Sequence, residues 1–222
     1  MRAEFELLLD TRYSCRGYLP NPVRRDTIEA ILRLAQRTPS WCNAQPWQVI
    51  ITGPSATERL RLALQAPQSA NEFGTDIPPP AEYRGVYRER RRECGLQLYE
   101  SVGVALGDRE SSARQAQENF KFFGAPHVAL ITTDALLGTY GAVDCGAYVN
   151  NFMLAARAHD VASIAQGAIA TRAKFLRAWF EIPADRQIVC GISFGYEDPA
   201  HPANKFRTRR ATVEQAVRWI EA

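Results

Sequence analysis

Two arginines four residues apart, Arg12 and Arg16, bracket Ser14 and run into Gly17. Guanidinium groups fork onto phosphate or carboxylate oxygens through paired hydrogen bonds, and a serine hydroxyl adds a further donor. This short segment therefore suits an anion, and equally a solvated basic turn. A second group lies in Thr38 to Trp47, where Pro39 and Pro46 fix φ and remove backbone donors. Ser40, Asn43 and Gln45 then offer short hydrogen-bonding groups from a stiff frame, with Trp41 and Trp47 beside them. Polar groups on a rigid loop next to a core strand commonly hold a ligand. The alternative is a structural loop whose Ser and Asn satisfy their own backbone. Val161 to Ala168 reads as a second turn of small residues, able to bring backbone N–H groups close to a flat ligand. Asn204 to Arg210 is a basic segment near the end of the chain.

Acid–base and metal chemistry have few carriers. Only three histidines occur, His127, His159 and His201, and none has metal-ligand spacing to another His or Cys. The five cysteines, Cys15, Cys42, Cys94, Cys145 and Cys190, are scattered and form no C-x-x-C pair. That pattern fits reduced thiols in a cytoplasmic chain, with no protein metal centre and no disulfide framework. Net charge is +3 over 222 residues, too small to argue for nucleic acid. A run of arginines, Arg84, Arg88, Arg90, Arg91 and Arg92, reads as a solvated helix face, with Tyr83 and Tyr87 on the same segment. No apolar run approaches a membrane span, and the first residues are acidic and too short in their apolar part for a secretory signal.

The elements that must position these groups follow from periodicity. Glu4 to Thr11 reads as a short helix with Phe5, Leu8 and Leu9 inward. Ile28, Ile31, Leu32 and Ala35 fall at helical spacing and predict a helix that delivers the chain to the Thr38–Trp47 loop. Trp47 to Thr52 predicts a buried strand, stopped by Gly53-Pro54, with another helix from Ser55 carrying Leu60, Leu62, Ala63 and Leu64. Pro67 to Pro80 changes character and, with the basic helix of residues 82–100, predicts an excursion or lid over roughly 67–100. Ser111 to Phe123 is helical, and His127 to Thr133 and Gln187 to Tyr196 are strands, the latter central. Between them, Tyr140 to His159 is apolar nearly all round, which requires burial on every side, as a central helix or a subunit interface. Thr171 to Phe180 predicts a helix with Phe175, Leu176 and Trp179 inward, and Thr212 to Ile220 a last helix or an arm. There is no internal repeat and no domain boundary, so the whole of 1–222 reads as one domain.

Four segments in order and spacing resemble the FMN-dependent nitroreductase family: Arg12-Tyr13-Ser14-Cys15-Arg16, Pro39 to Trp47, Ile164-Ala165-Gln166-Gly167, and Gly195-Tyr196 followed by Asn204-Lys205-Phe206-Arg207. The basic stretch and Asn119 to Pro126 are similar to the branch of bacterial nitroaromatic reductases. The resemblance implies an α+β fold, a mixed and mainly antiparallel central sheet flanked by helices, in an intertwined homodimer with FMN in each interface cleft. It implies Arg12, Tyr13, Ser14 and Arg16 at the flavin, Arg207 on its phosphate and Lys205 as a helper. It places Ser40, Trp41, Cys42, Asn43 and Gln45 against the flavin of the other subunit. Backbone N–H groups of Ala165, Gln166 and Gly167 would face flavin N5.

The activity implied is a ping-pong oxidoreductase. No protein side chain is catalytic: hydride passes from NADH or NADPH to flavin N5 and on to a nitroaromatic or similar small-molecule acceptor. No G-x-G-x-x-G follows a strand, so nicotinamide must dock on the flavin directly. Tyr83, Arg84, Tyr87, Arg88 and Phe123 are the candidate acceptor contacts. The rivals are a reductive dehalogenase, an enone reductase or a flavin-consuming enzyme of the same fold, a non-enzymatic flavin-sequestering protein, and a basic nucleic-acid module.

Overall fold

The computed structural model describes residues 1–66 and 73–221, and the part of the expected excursion at Pro67, Asn71 and Glu72 lies outside the described residues. Its chain opens with α1 (Arg2–Thr11) and α2 (Arg25–Ala35), followed by β1 (Gln48–Thr52) and α3 (Pro54–Gln65). The basic helix is α4 (Gly85–Ser101), then come α5 (Arg109–Gln117), β2 (His127–Asp134) and α6 (Gly138–Ala158). β3 (Ala162–Gln166), α7 (Gly167–Ala170), α8 (Ala173–Trp179), β4 (Arg186–Gly195) and a single turn, α9 (Val213–Ala216), complete it.

The sheet order is β1-β2-β4-β3, and all three ladders are antiparallel. Among the described residues parallel pairing enters only at isolated bridges, one of them Ser14 with Ser163. β2 is buried along its length because helices cover both faces of the sheet. Val128 and Leu130 enter one core with Leu60, Phe122 and Ile169. Ala129 and Ile131 enter the other with Ile31, Tyr148, Phe152 and Phe194. This is the two-residue alternation of a strand. A register shift opposite Ile131/Thr132 inserts one residue into β4. Ile188 therefore joins the first core and Ile192 the second, although their numbers share a parity.

The α2 spacing holds: Ile28, Ile31 and Ala35 are buried. Other expectations are corrected. In α1 no residue is buried; Phe5 and Leu9 are exposed, because in the single chain nothing lies over that face. Leu62 of α3 and Trp179 of α8 also face outward. The small-residue stretch at 161–168 is not a turn: Ala162–Gln166 is the edge strand β3, and only the step from Gln166 into Gly167 turns. Close packing demands a small residue on the partner strand instead: a Cβ on Gly191, opposite Gln166, would lie 2.5 Å from Ile169. α6 buries one face (Cys145, Tyr148, Phe152, Ala156) against the sheet and α2, while Tyr140 and Val143 on the other remain 60 % exposed. The segment returning from the excursion is fastened: Asp76 pairs with Arg177 at 2.7 Å and accepts from Ile188 N at 2.8 Å.

Candidate active site

A cavity of about 260 Å³ lies between the chain after α1, the middle of α4 and the tail after β4. Arg12, Tyr13, Ser14, Arg16, Arg207 and Arg210 line it, so five of the sequence-predicted residues come together. The backbone explains how. Cys15 N donates to Ser163 O at the edge of β3, and the Cys15 side chain is fully buried. Alternation then turns Ser14 and Arg16 to the opposite side. Arg16 N donates to Asn204 Oδ1 at 2.8 Å, and Asn204 Nδ2 returns to Gly17 O at 2.8 Å. Gly17 is required: a Cβ there would stand 2.2 Å from the His201 ring. These contacts weld the first arginine segment to the last. The Arg207 guanidinium lies 3.7 Å from the centre of the Tyr13 ring, and Arg16 lies over Phe206 at 5.8 Å.

The electrostatics are one-sided. Among the described residues, none of Arg12, Arg16, Arg207 and Arg210 is in an ion pair. Burial, then the charge of Arg210, pulls the Arg12 pKa down, and burial does the same to Arg16. Partly desolvated cations crowded without a carboxylate partner call for an anion from outside. A dianionic phosphate with a hydroxyl donor at Ser14 fits this set, so the residues present suit the phosphate end of FMN.

The other predicted residues lie elsewhere. Lys205 is exposed and off the cavity wall. Ser40, Trp41, Cys42, Asn43 and Gln45 lie on a loop anchored to α6 through Trp41, whose N donates to Asp144 at 3.1 Å and whose ring meets Tyr140 at 4.7 Å. Part of their polarity is spent internally, since Gln45 N donates to Ser40 Oγ and Gln45 Nε2 to Asn43 Oδ1. Cys42, Asn43 and Gln45 nevertheless all hold positive φ, from 47° to 56°. Three such non-glycine residues in one loop store strain of the kind found at functional sites. Arg186 braces this loop from below, donating to Pro46 O at 3.1 Å and Thr132 O at 2.8 Å. Ala165 and Gly167 are exposed, whereas the Gln166 side chain is buried on Asn119 and Ser193. Tyr83, Arg84, Tyr87 and Arg88 are exposed at the start of α4, with Arg84 paired to Glu82 and Tyr83 under Arg91. Phe123, buried, lines a neighbouring cavity of about 380 Å³ together with Arg16, Arg114 and His201. Sequence reasoning missed Glu197, Arg210, Asp144 and Arg186; only the basic run at the tail could have pointed to Arg210.

With this geometry, residues 9–196 match the Nitroreductase family. The chain belongs to the nitroreductase family. It is 33 % identical over 215 residues to nitroreductase NfnB of Mycolicibacterium smegmatis, covering 96 % of this chain and 92 % of that protein. It is 34 % identical over 223 residues to a 4-nitrobenzoate reductase of Nocardioides sp. strain LMS-CY, covering 97 % and 90 %. The crystal structure of the FMN-dependent nitroreductase NfnB from Mycobacterium smegmatis in complex with NADPH superposes with a TM-score of 0.94 at 32 % identity over 100 % of both chains. The nitroreductase fold is thus common to the two along their whole length. No helix among the described residues is long and apolar enough to cross a membrane.

Proposed function

We propose that this nitroreductase-family protein is an FMN-dependent oxidoreductase that carries reducing equivalents from NADH or NADPH to nitroaromatic acceptors. The observation that carries this reading is the set of four arginines around the cavity, none of them ion-paired among the described residues, in a chain similar over its full length to FMN-dependent nitroreductases. Bound FMN would accept and return hydride at N5, a task for which the protein supplies no side chain of its own. The chain's part is to bind and orient. Arg12, Arg16 and Arg207 would hold the phosphate with Ser14, and the exposed backbone at Ala165 to Gly167 would face the ring. Phe123 offers an apolar wall to a flat acceptor, and Arg84 and Arg88, at the start of α4 within the expected 67–100 lid, would suit anionic acceptors such as nitrobenzoates.

A homodimer completes the proposal. The exposed face of α6 and the apolar arm at Val217, Trp219 and Ile220 have no cover in one chain. The loop at Ser40 to Gln45 does not line the arginine cavity of its own chain and would close the cleft of the partner. The five free cysteines fit a reducing cytoplasm. The test is reconstitution with FMN followed by anaerobic titration with NADH and with NADPH. Bleaching of the flavin band, then its recovery on adding 4-nitrobenzoate, is expected. A protein that takes up no flavin, or whose flavin neither coenzyme bleaches, would refute the reading.

A further inference from the structure

We propose that Tyr13 is a positioning residue that keeps Arg207 free for the flavin phosphate and so sets a preference for FMN over unphosphorylated riboflavin. This rests on the FMN reading above. Asp10 stands on the cavity wall but in no ion pair among the described residues; Glu197, just beyond β4 and against Tyr13, is a second carboxylate that could neutralise the arginine cluster. Its natural partner would be a guanidinium, since bidentate arginine–carboxylate pairs are the strong ones. It forms no such pair among the described residues. Instead the Tyr13 hydroxyl donates to Glu197 Oε2 at 2.5 Å. Burial and this hydrogen bond drive the phenol pKa up, so the donor keeps its proton at any physiological pH.

The same ring carries Arg207 on its face at 3.7 Å. Stacking on an aromatic face holds a guanidinium without consuming its N–H groups. Arg207 Nη1 donates to Asn204 O at 2.7 Å and Phe206 O at 2.9 Å, and its remaining donors have no partner among the described residues. One side chain thus does two things: it occupies the carboxylate and it shelves the cation beside the cavity. Without the hydroxyl, Glu197 would be left free to pair with Arg207 across the same ring; without the ring, Arg207 would lose its platform.

The experiment titrates apo protein with FMN and with riboflavin, following flavin fluorescence, and records the Kd of each. Tyr13→Leu is expected to weaken FMN about fivefold, the scale of a cation–π contact to an exposed guanidinium, while riboflavin affinity stays within about twofold. Tyr13→Phe should lower FMN affinity by a similar factor, and Tyr13→Phe combined with Glu197→Gln should recover most of it. In an Arg207→Ala background, Tyr13→Leu should add no further loss. Equal losses for FMN and riboflavin would mark Tyr13 as merely structural and overturn the proposal, as would a full additional loss in the Arg207→Ala background. Wild-type protein that binds neither flavin would overturn the FMN reading and this inference with it. Wild-type binding with Tyr13→Leu unaffected would overturn this inference alone.

Discussion

Replacing Arg12 by alanine should move the free and the flavin-bound protein in opposite directions. In the free protein Arg12 is half-buried, is in no ion pair among the described residues, and is pushed toward deprotonation by desolvation and by Arg210. Its removal relieves that crowding, so the melting temperature of the apo variant should equal or exceed that of the apo wild type. In the flavin-bound protein the same change would delete the proposed charge-assisted hydrogen bond to the phosphate, worth about 1.5–3 kcal/mol. That corresponds to a rise in Kd for FMN of roughly 10- to 150-fold, and the relief in the free protein adds to it. The thermal shift follows by mass action. At FMN equal to about 100 times the wild-type Kd, wild type gains about 2.7 kcal/mol, whereas a variant binding tenfold more weakly gains about 1.4 kcal/mol. The effect should shrink as salt rises, because the cavity is open to solvent and its charges are screened. The assay is differential scanning calorimetry of apo and flavin-loaded protein at two ionic strengths, with Kd from fluorescence. If Arg12→Ala lowers the apo and loaded melting temperatures by the same amount, the residue is structural and the electrostatic argument fails.

Three further outcomes are expected. His127 is buried as a neutral ring, with Nδ1 on Thr52 O and Nε2 accepting from Val23 N, both at 3.0 Å, and burial lowers its pKa. Its stabilising effect is therefore complete above the unfolded value near 6.5 and fades as pH falls toward the lower folded value, by at most about 1.4 kcal/mol per pH unit; urea titrations of wild type and His127→Phe between pH 7 and 5 should diverge in slope, and parallel curves would contradict this. Cys42 holds φ at 49°, so Cys42→Gly should stay within about 0.5 kcal/mol of wild type while Cys42→Val costs about 1–2 kcal/mol, read from chemical denaturation. Val143 is 60 % exposed on α6, and Val143→Glu should convert a dimer to monomer and abolish flavin binding, checked by light scattering with absorbance; a flavin-loaded monomer that turns over would refute the shared cleft.

Elements set by local pattern were legible, and those set by distant neighbours were not. Ile28, Ile31 and Ala35 announce α2 because helical spacing and burial coincide there. His127 to Thr133 announces β2 because a strand covered on both faces is apolar throughout. Ala162 to Gln166 carries no such mark. Its strand character comes from pairing with Gly191 to Gly195 across the sheet, and its small residues look locally like a turn. Phe5 and Leu9 were misplaced for the converse reason: an apolar spacing shows that a face wants covering, but not that its own chain supplies the cover.

The candidate site divides along the same line. Arg12, Ser14 and Arg16 could be read as a cluster because three polar residues at alternate positions on an extended segment share one side. What makes the cluster a site is where the carboxylates are not. Asp10 lines the cavity yet pairs with no arginine among the described residues, and Glu197 is held by the Tyr13 hydroxyl. A sequence records how many acids and bases a chain has, and this one is nearly balanced at +3. It does not record that four arginines converge on one cavity while the acids are paired elsewhere, as Asp26 is with Arg24 and Glu93 with Arg209. The capacity to hold a dianion is thus a property of unequal distribution created by the fold. It arises where Asn204 ties the last segment to the first, and a chain with the same composition but without that tie would have a solvated basic turn in its place.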